Sequence, residues 1–378
     1  MPQNQNRYRT VPEFLSTYSG NDHAYAIFPR AIEHAADDFV QGFKGASLYA
    51  MKSNPHPEVI ELLWQSGIHY FDVASLREVE FIKRHYPSAR IYLMHPVKSR
   101  QLIERAYEEG VRDFVFDCDA ELQKILDCTD EAKNLRLYLR LALPKSGGVL
   151  PLAGKFGADF ETALTLLPKA RAVAAKVGLS FHVGSQCLKP QAYEDAIRYA
   201  RKVVDTAKIA IDIIDIGGGF PVRYPGMDTP LLSTFFNTIH AALARYDFDQ
   251  AEWLAEPGRA LCAEGGSTLA RIELRKGNDL YLNDGAFGSL FDAAHLRWQY
   301  PVKLHRNRPP APMGSKTGFR LFGPTCDSMD VIQGPVMLPS DACEGDWIEF
   351  QNLGAYGYSM ATRFNGFYSD TTILIEDK

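Results

Sequence analysis

With 378 residues, a formal net charge of −5, 46% hydrophobic and 23% charged residues, the chain reads as a soluble globular protein with room for one large domain and a smaller one. The acidic balance excludes the broad basic surface that nucleic acid needs. No segment approaches the roughly 18 unbroken apolar residues of a membrane span, and residues 1–20 lack the apolar centre of a secretory signal, so a cytoplasmic protein with no membrane partner is expected.

AYAIFP at 24–29 reads as a strand. From residue 47 to about residue 260, eight short runs rich in β-branched and aromatic residues follow in order: SLYAM, HYFDVA, RIYLMHP, DFVFD, LRLYLRL, LSFHVGS, IIDIGGG and EWLAEPGR. Between them lie stretches such as PEVIELLWQSG and SRQLIERAYEEG, with apolar residues at helical spacing and a closing glycine. Eight strand–helix units predict an α/β protein built on a (β/α)8 TIM barrel. After residue 263 the pattern changes to alternating strands, RIELRKG, DLYLNDG, DWIEF and TTILIED, which predicts a C-terminal, mostly antiparallel β domain. The expected division is a barrel over 28–262 and a β domain over 263–378 joined by residues 1–27. Six cysteines, Cys118, Cys128, Cys187, Cys262, Cys326 and Cys343, form no CxxC pair, so no metal site or disulfide scaffold is expected and most should be small core residues.

Catalytic groups of such a barrel come from the carboxyl ends of its strands, where the loops converge. The unusual polar residues fall there: Lys52, Asp72, His95, Arg140, His182 with Ser185, Gly217 to Gly219, and Glu256 with Arg259. The glycines of DIGGGFP let backbone N–H groups approach an anion, although such a run is often only a turn. Ser185 and Arg259 end neighbouring strands and donate to the same anion, which favours a phosphate. Glu256 suits either a salt bridge to Arg259 or a carboxylate held against a pyridine nitrogen. His182 is either a satisfied core histidine or a ring that stacks on an aromatic ligand. A lysine beside a phosphate site and a ring-nitrogen acid is the arrangement that binds pyridoxal 5′-phosphate through a Schiff base. That assigns Lys52 a role in which desolvation lowers its pKa.

YAMKSNP, FDVAS, RLAL with KFG, FHVGSQ, DIGGGFP, EPGR, NDGAFGS, GPTCDSMD, EGDWIEF and GAYGYSMATRFNGF together resemble the fold type III, alanine-racemase-like pyridoxal phosphate decarboxylases, in their ornithine/lysine decarboxylase branch. The resemblance spans residues 24–367. It implies a head-to-tail homodimer with shared active sites. Lys52 would carry the cofactor, His182 stack on its ring and Glu256 meet its ring nitrogen. Ser185, Gly217, Gly218, Gly219, Arg259 and Tyr356 would cradle the phosphate, with Asp72 and Arg140 supporting lysine and ring. It further implies that Cys326 and Asp327 enter the partner's site, the cysteine as proton donor and the aspartate at the distal end of the substrate.

Two departures bear on the substrate. Where basic-amino-acid decarboxylases usually carry an acid after the NDG-aromatic-GS motif, this chain has His295 or Leu296, followed by Arg297, with Asp292 three residues early. In ATRFNGF, Arg363 replaces the small or apolar residue usual before Phe364. The expected activity is decarboxylation of an ornithine- or lysine-like L-amino acid to a di- or polyamine. The alternative is a modified substrate ending in a carboxylate or amide, such as a carboxylated polyamine or siderophore precursor. A racemase lacks the GPTCDS loop, and a non-catalytic cofactor-binding protein would end with the barrel.

Overall fold

The computed structural model describes residues 6–144, 147–150, 154–296, 298–307, 309–311 and 314–376. Eight parallel strands close into a barrel: Ala46–Ala50, Tyr70–Val73, Arg90–Leu93, Asp113–Phe116, Arg136–Arg140, Lys176–Ser180, Ile213–Asp215 and Glu252–Ala255. Closure is made by the eighth strand against the first, with Leu254 opposite Ala46 and Ala255 opposite Ser47. Each run is almost wholly apolar because a barrel strand is covered on both faces, by the barrel interior and by a helix. Thus Tyr49, Phe71, Phe114 and Leu137 are all fully buried.

The intervening helices start where local chemistry supplies their orphan N–H groups. Pro57 opens Pro57–Gln65 behind the capping ring of His56, and Ser75 with Glu78 forms a reciprocal capping box at the head of Leu76–His85. Short strands Gly148–Leu150 and Ser185–Cys187 pair antiparallel above the barrel, which fixes Ser185 over its opening.

The remaining strands build one nine-stranded sheet. Its centre is the long strand Gly266–Lys276, paired antiparallel with Ala24–Ile27 on one side and Trp347–Phe350 on the other. The sheet is more mixed than the alternating pattern suggests. Thr372–Ile375 runs parallel to both Ala24–Ile27 and Arg7–Tyr8, and Asp279–Leu282 runs parallel to Lys316–Phe322. Three strands carry no clear pattern in the sequence: Val302–His305, Lys316–Phe322 and Val331–Pro339. In the last, Gly334-Pro335 interrupts the run, and proline removes a ladder donor. Among the described residues no helix is long and apolar enough to cross a membrane.

The cysteines depart from expectation. Cys187 and Cys262 are buried, Cys128 and Cys343 are half-buried, and Cys118 and Cys326 are exposed. Cys118 occupies a helix N-cap position and Cys326 lies in a loop, so neither faces the apolar interior.

Candidate active site

The first barrel strand ends in a single-turn helix, Met51–Ser53. That turn is pinned on both sides: Ser53 Oγ donates to the Ala50 carbonyl at 2.7 Å, and Asn54 Nδ2 donates to the Gly354 carbonyl of the β domain at 2.7 Å. Lys52 is thereby set on the wall of a cavity of about 480 Å³ at the carboxyl ends of the strands. Asp72, Arg140, His182, Ser185, Gly219, Glu256 and Arg259 line the same cavity, and Tyr356 closes it from the β domain.

Lys52 Nζ lies 3.3 Å from Asp72 Oδ2. The Asp72 carboxylate outweighs desolvation and raises the lysine pKa above its ordinary value. The expectation that desolvation lowers it is therefore reversed in the protein alone, because the lysine side chain is 57% exposed and its nearest charged neighbour is an acid.

His182 Nδ1 accepts the Gly184 N–H at 2.9 Å. Burial, then Arg140 and Lys52, push its pKa well below the usual value, so the imidazole is neutral. Glu256 is 5% exposed, and its Oε1 is enclosed without a hydrogen-bond partner. Burial, then Asp215 and Asp72, hold its carboxyl well above the normal range. Burial also pushes the neighbouring Asp215 up to about 6, while Asp215 Oδ1 accepts the Gly217 N–H at 2.8 Å. Two adjacent buried carboxyls resist ionising together until a positive group arrives. The orphaned Oε1 fits the proton of a pyridinium nitrogen.

The glycine run is required by close packing. Gly217 and Gly219 have φ of +67° and +102°, and a Cβ on them would come within 2.1 Å of the Phe181 carbonyl and 2.2 Å of the Gly184 carbonyl. Arg259 pairs with Asp292 at 2.8 Å, and among the described residues it makes no salt bridge to Glu256. Tyr356, left-handed at φ +63°, is held by its N–H to the Ser53 carbonyl at 2.7 Å and lays its ring 4.9 Å from the Arg259 guanidinium. An amine, a neutral flat ring, a carboxyl with one unpartnered oxygen, and an arginine and a glycine turn lining the same cavity fit the aldehyde, ring face, ring nitrogen and phosphate of pyridoxal phosphate.

Other residues lie apart. Cys326 is exposed, with Sγ 3.6 Å from Asn365 Nδ2. Asp327 Oδ1 accepts the Met329 N–H at 2.8 Å. Their loop is tied down by buried Asp330, which accepts from Thr325 and from the Ala286 N–H. His295 is exposed and stacked 4.3 Å from Phe291. Arg363 is exposed and paired with Asp370 at 3.2 Å, and Phe364 packs 4.9 Å from Phe287. None of these lines the cavity of its own chain, and Arg297 lies outside the described residues. Sequence reasoning missed Asp215, Lys155 and Phe156, and weighed Asp292 only as a displaced substrate acid. Of these, Lys155 and Phe156 line the cavity from the KFG motif, a signal that was present but given no role.

A family model described as the pyridoxal binding domain of pyridoxal-dependent decarboxylases matches residues 29–263. The chain is 34% identical over 340 residues to the lysine/ornithine decarboxylase of Selenomonas ruminantium, covering 87% of this chain and 83% of that protein. It is 34% identical over 349 residues to the ornithine decarboxylase of Mus musculus, covering 84% and 73%. The structure of the Paramecium bursaria Chlorella virus arginine decarboxylase bound to agmatine superposes with a TM-score of 0.84 at 27% identity, covering 97% and 99% of the two chains. The chain therefore belongs to the pyridoxal-dependent decarboxylases, in the fold type III ornithine/lysine branch, and is a carboxy-lyase whose cofactor is pyridoxal 5′-phosphate.

Proposed function

We propose that the protein decarboxylates a basic, ornithine- or lysine-like L-amino acid to a di- or polyamine. The observation that carries this reading is the single cavity that gathers Lys52, His182, Glu256 and Arg259 around an enclosed, unpartnered carboxyl oxygen. Bound there, pyridoxal phosphate supplies the electron sink for the bond that loses carbon dioxide.

The chain's own groups do the rest. Lys52 holds the cofactor covalently and, with Asp72 at 3.3 Å, has a charge partner whenever its amine is free. Neutral His182 covers one face of the ring without adding a competing positive charge. Glu256 would keep a proton on the ring nitrogen, its carboxyl made more basic first by burial and then by neighbouring Asp215. Ser185, the glycine turn, Arg259 and Tyr356 would hold the phosphate, and Arg140 lines the same cavity.

Cys326 and Asp327 act from the second subunit of a homodimer, the thiol delivering the proton to the carbon that has lost its carboxylate and the aspartate meeting the distal ammonium. That neither residue lines the cavity of its own chain supports that assignment. A second reading, a side chain ending in a carboxylate or amide, is favoured by Lys155, which adds a cation to the cavity wall beside His95.

Carbon dioxide release across ornithine, lysine, acidic amino acids and carboxylated polyamines tests both readings. Turnover of the diamino acids alone supports the first, and turnover of the carboxylated compounds alone replaces it with the second. Lys52→Ala removes the visible absorption of the lysine-linked cofactor. Persistence of that band after borohydride reduction and dialysis refutes the assignment of Lys52.

A further inference from the structure

We infer that Asp292 is a positioning residue for the cofactor's phosphate, acting through Arg259. The inference rests on the proposed assignment of Arg259 to the phosphate.

The two residues come from different parts of the chain. Arg259 heads the short helix Arg259–Cys262 at the end of the eighth barrel strand, and Asp292 lies in the helix Phe291–His295 beyond the NDGAFGS loop. Their side chains are 5% and 9% exposed, and Nη1 meets Asp292 Oδ2 at 2.8 Å. Nη1 also donates to the Tyr224 hydroxyl at 3.1 Å, and the Tyr300 hydroxyl donates to the same Asp292 oxygen. The ring centroids of Tyr356 and Trp298 lie 4.9 and 5.4 Å from the guanidinium carbon.

The three nitrogens thus have different fates. Nη1 is committed to Asp292 and Tyr224. Nε is enclosed and has no hydrogen-bond partner. Among the described residues Nη2 has no protein acceptor, and Arg259 lines the cavity, so Nη2 is the donor left for an anion.

A planar guanidinium clamped at one corner and packed against aromatic rings is restricted in orientation, so its free edge is aimed before any ligand arrives. The carboxylate also compensates a buried positive charge that would otherwise stand alone in the cofactor-free protein. Asp292 touches neither cofactor nor substrate in this scheme. Its effect is to fix where the phosphate donor points.

The test is titration of pyridoxal phosphate into the cofactor-free protein, together with the phosphorus NMR resonance of the bound phosphate. At metal sites, loss of a residue that orients a ligating side chain costs about 10- to 100-fold in affinity, and the same scale is taken for a residue that orients a phosphate donor. Asp292→Ala is expected to weaken binding by that factor and to move the resonance toward that of free cofactor. Asp292→Asn keeps an acceptor in the same place and is expected to retain most of the affinity. Tyr300→Phe removes the hydroxyl that orients Asp292. It is expected to shift both readouts less and in the same direction, and it serves if Asp292→Ala does not fold. A merely structural aspartate would lower the melting temperature but leave affinity and resonance unchanged, and that result in Asp292→Ala or Tyr300→Phe overturns the inference. Arg259→Met separates this from the parent reading. If it binds cofactor normally, the phosphate assignment itself fails, whereas weakened binding in Arg259→Met with none in the other variants defeats only the role of Asp292.

Discussion

Replacing Asp72 by asparagine isolates the electrostatic control of the lysine that holds the cofactor. At 3.3 Å, unit charges attract by about 5 kcal/mol at an effective dielectric of 20 and by about 1.3 kcal/mol in water. Lys52 is 57% exposed, so solvent screening draws the true value toward the lower figure, close to one pK unit. The sign is fixed. Removing the neighbouring anion destabilises the ammonium, lowers its pKa and frees the amine at lower pH. Desolvation of Lys52 acts in the same direction and stops being offset by the carboxylate. Cofactor-free Asp72→Asn should therefore capture pyridoxal phosphate with a pH midpoint about one unit or more below that of the wild type, followed as visible absorbance across neutral to alkaline pH. The folded protein has a companion dependence. Because the lysine pKa is raised, the pair stabilises the fold fully below the ordinary lysine value and loses that contribution only as pH climbs through the raised one. An unchanged capture midpoint, or one displaced to higher pH, would show that Asp72 does not govern the lysine.

Glu256→Gln keeps shape but surrenders the carboxylate; hydrogen bonds to charged groups are worth about 1.5–3 kcal/mol, so carbon dioxide release should fall ten- to a hundredfold with the cofactor still bound, and full activity would refute the ring-nitrogen role. Gly219→Ala places a Cβ 2.2 Å from the Gly184 carbonyl at φ +102°. Left-handed strain plus overpacking costs about 2–5 kcal/mol, to be read as a lower denaturation midpoint together with weaker cofactor binding. Mixing inactive Lys52→Ala chains with inactive Cys326→Ala chains should restore part of the activity through hybrid dimers, and no recovery despite proven subunit exchange would count against a shared site.

The barrel was legible because each of its strands is covered on both faces and so reads as a continuous apolar run. The sixth shows the limit of that signal. LSFHVGS marks its end, whereas the strand itself is Lys176–Ser180, where Gly178 packs against Tyr138 and weakens the pattern. The β domain was read less completely because its strands are half-covered and interrupted by glycine and proline. The parallel pairing of Thr372–Ile375 with Arg7–Tyr8 joins the two chain termini, and no local pattern encodes such a contact. The same division applies to the site. Lys52, His182, Glu256 and Arg259 sit at strand ends, so barrel geometry alone brings them together. Asp292 was judged by its offset from an expected substrate acid, and only tertiary packing shows that it faces Arg259. His295 was placed by its spacing from the NDG motif and Arg363 by its position before Phe364, and neither says which face a short helix or loop presents.

Charge inside the cavity sets the substrate problem in its sharpest form. Its lining carries two carboxyls, Asp72 and Glu256, against Lys52, Arg140, Lys155 and Arg259. Asp72 is engaged with Lys52, and on the proposed reading Glu256 is engaged with the ring nitrogen. A distal ammonium entering this wall among the described residues would meet cations and no uncommitted acid, a cost that desolvation only increases. Basic substrates therefore require a carboxylate from outside the chain's own cavity. On the proposed reading Asp327 of a second subunit would supply one, which would make substrate choice a property of the dimer while the cofactor cavity is lined by a single chain. The carboxylate-ended alternative needs no such acid, since Lys155 already offers a counter-charge. The two readings thus differ in what a second subunit must contribute, and substitution of Asp327 separates them. Loss of turnover on diamino acids with cofactor retained follows from the first, and indifference to the change follows from the second.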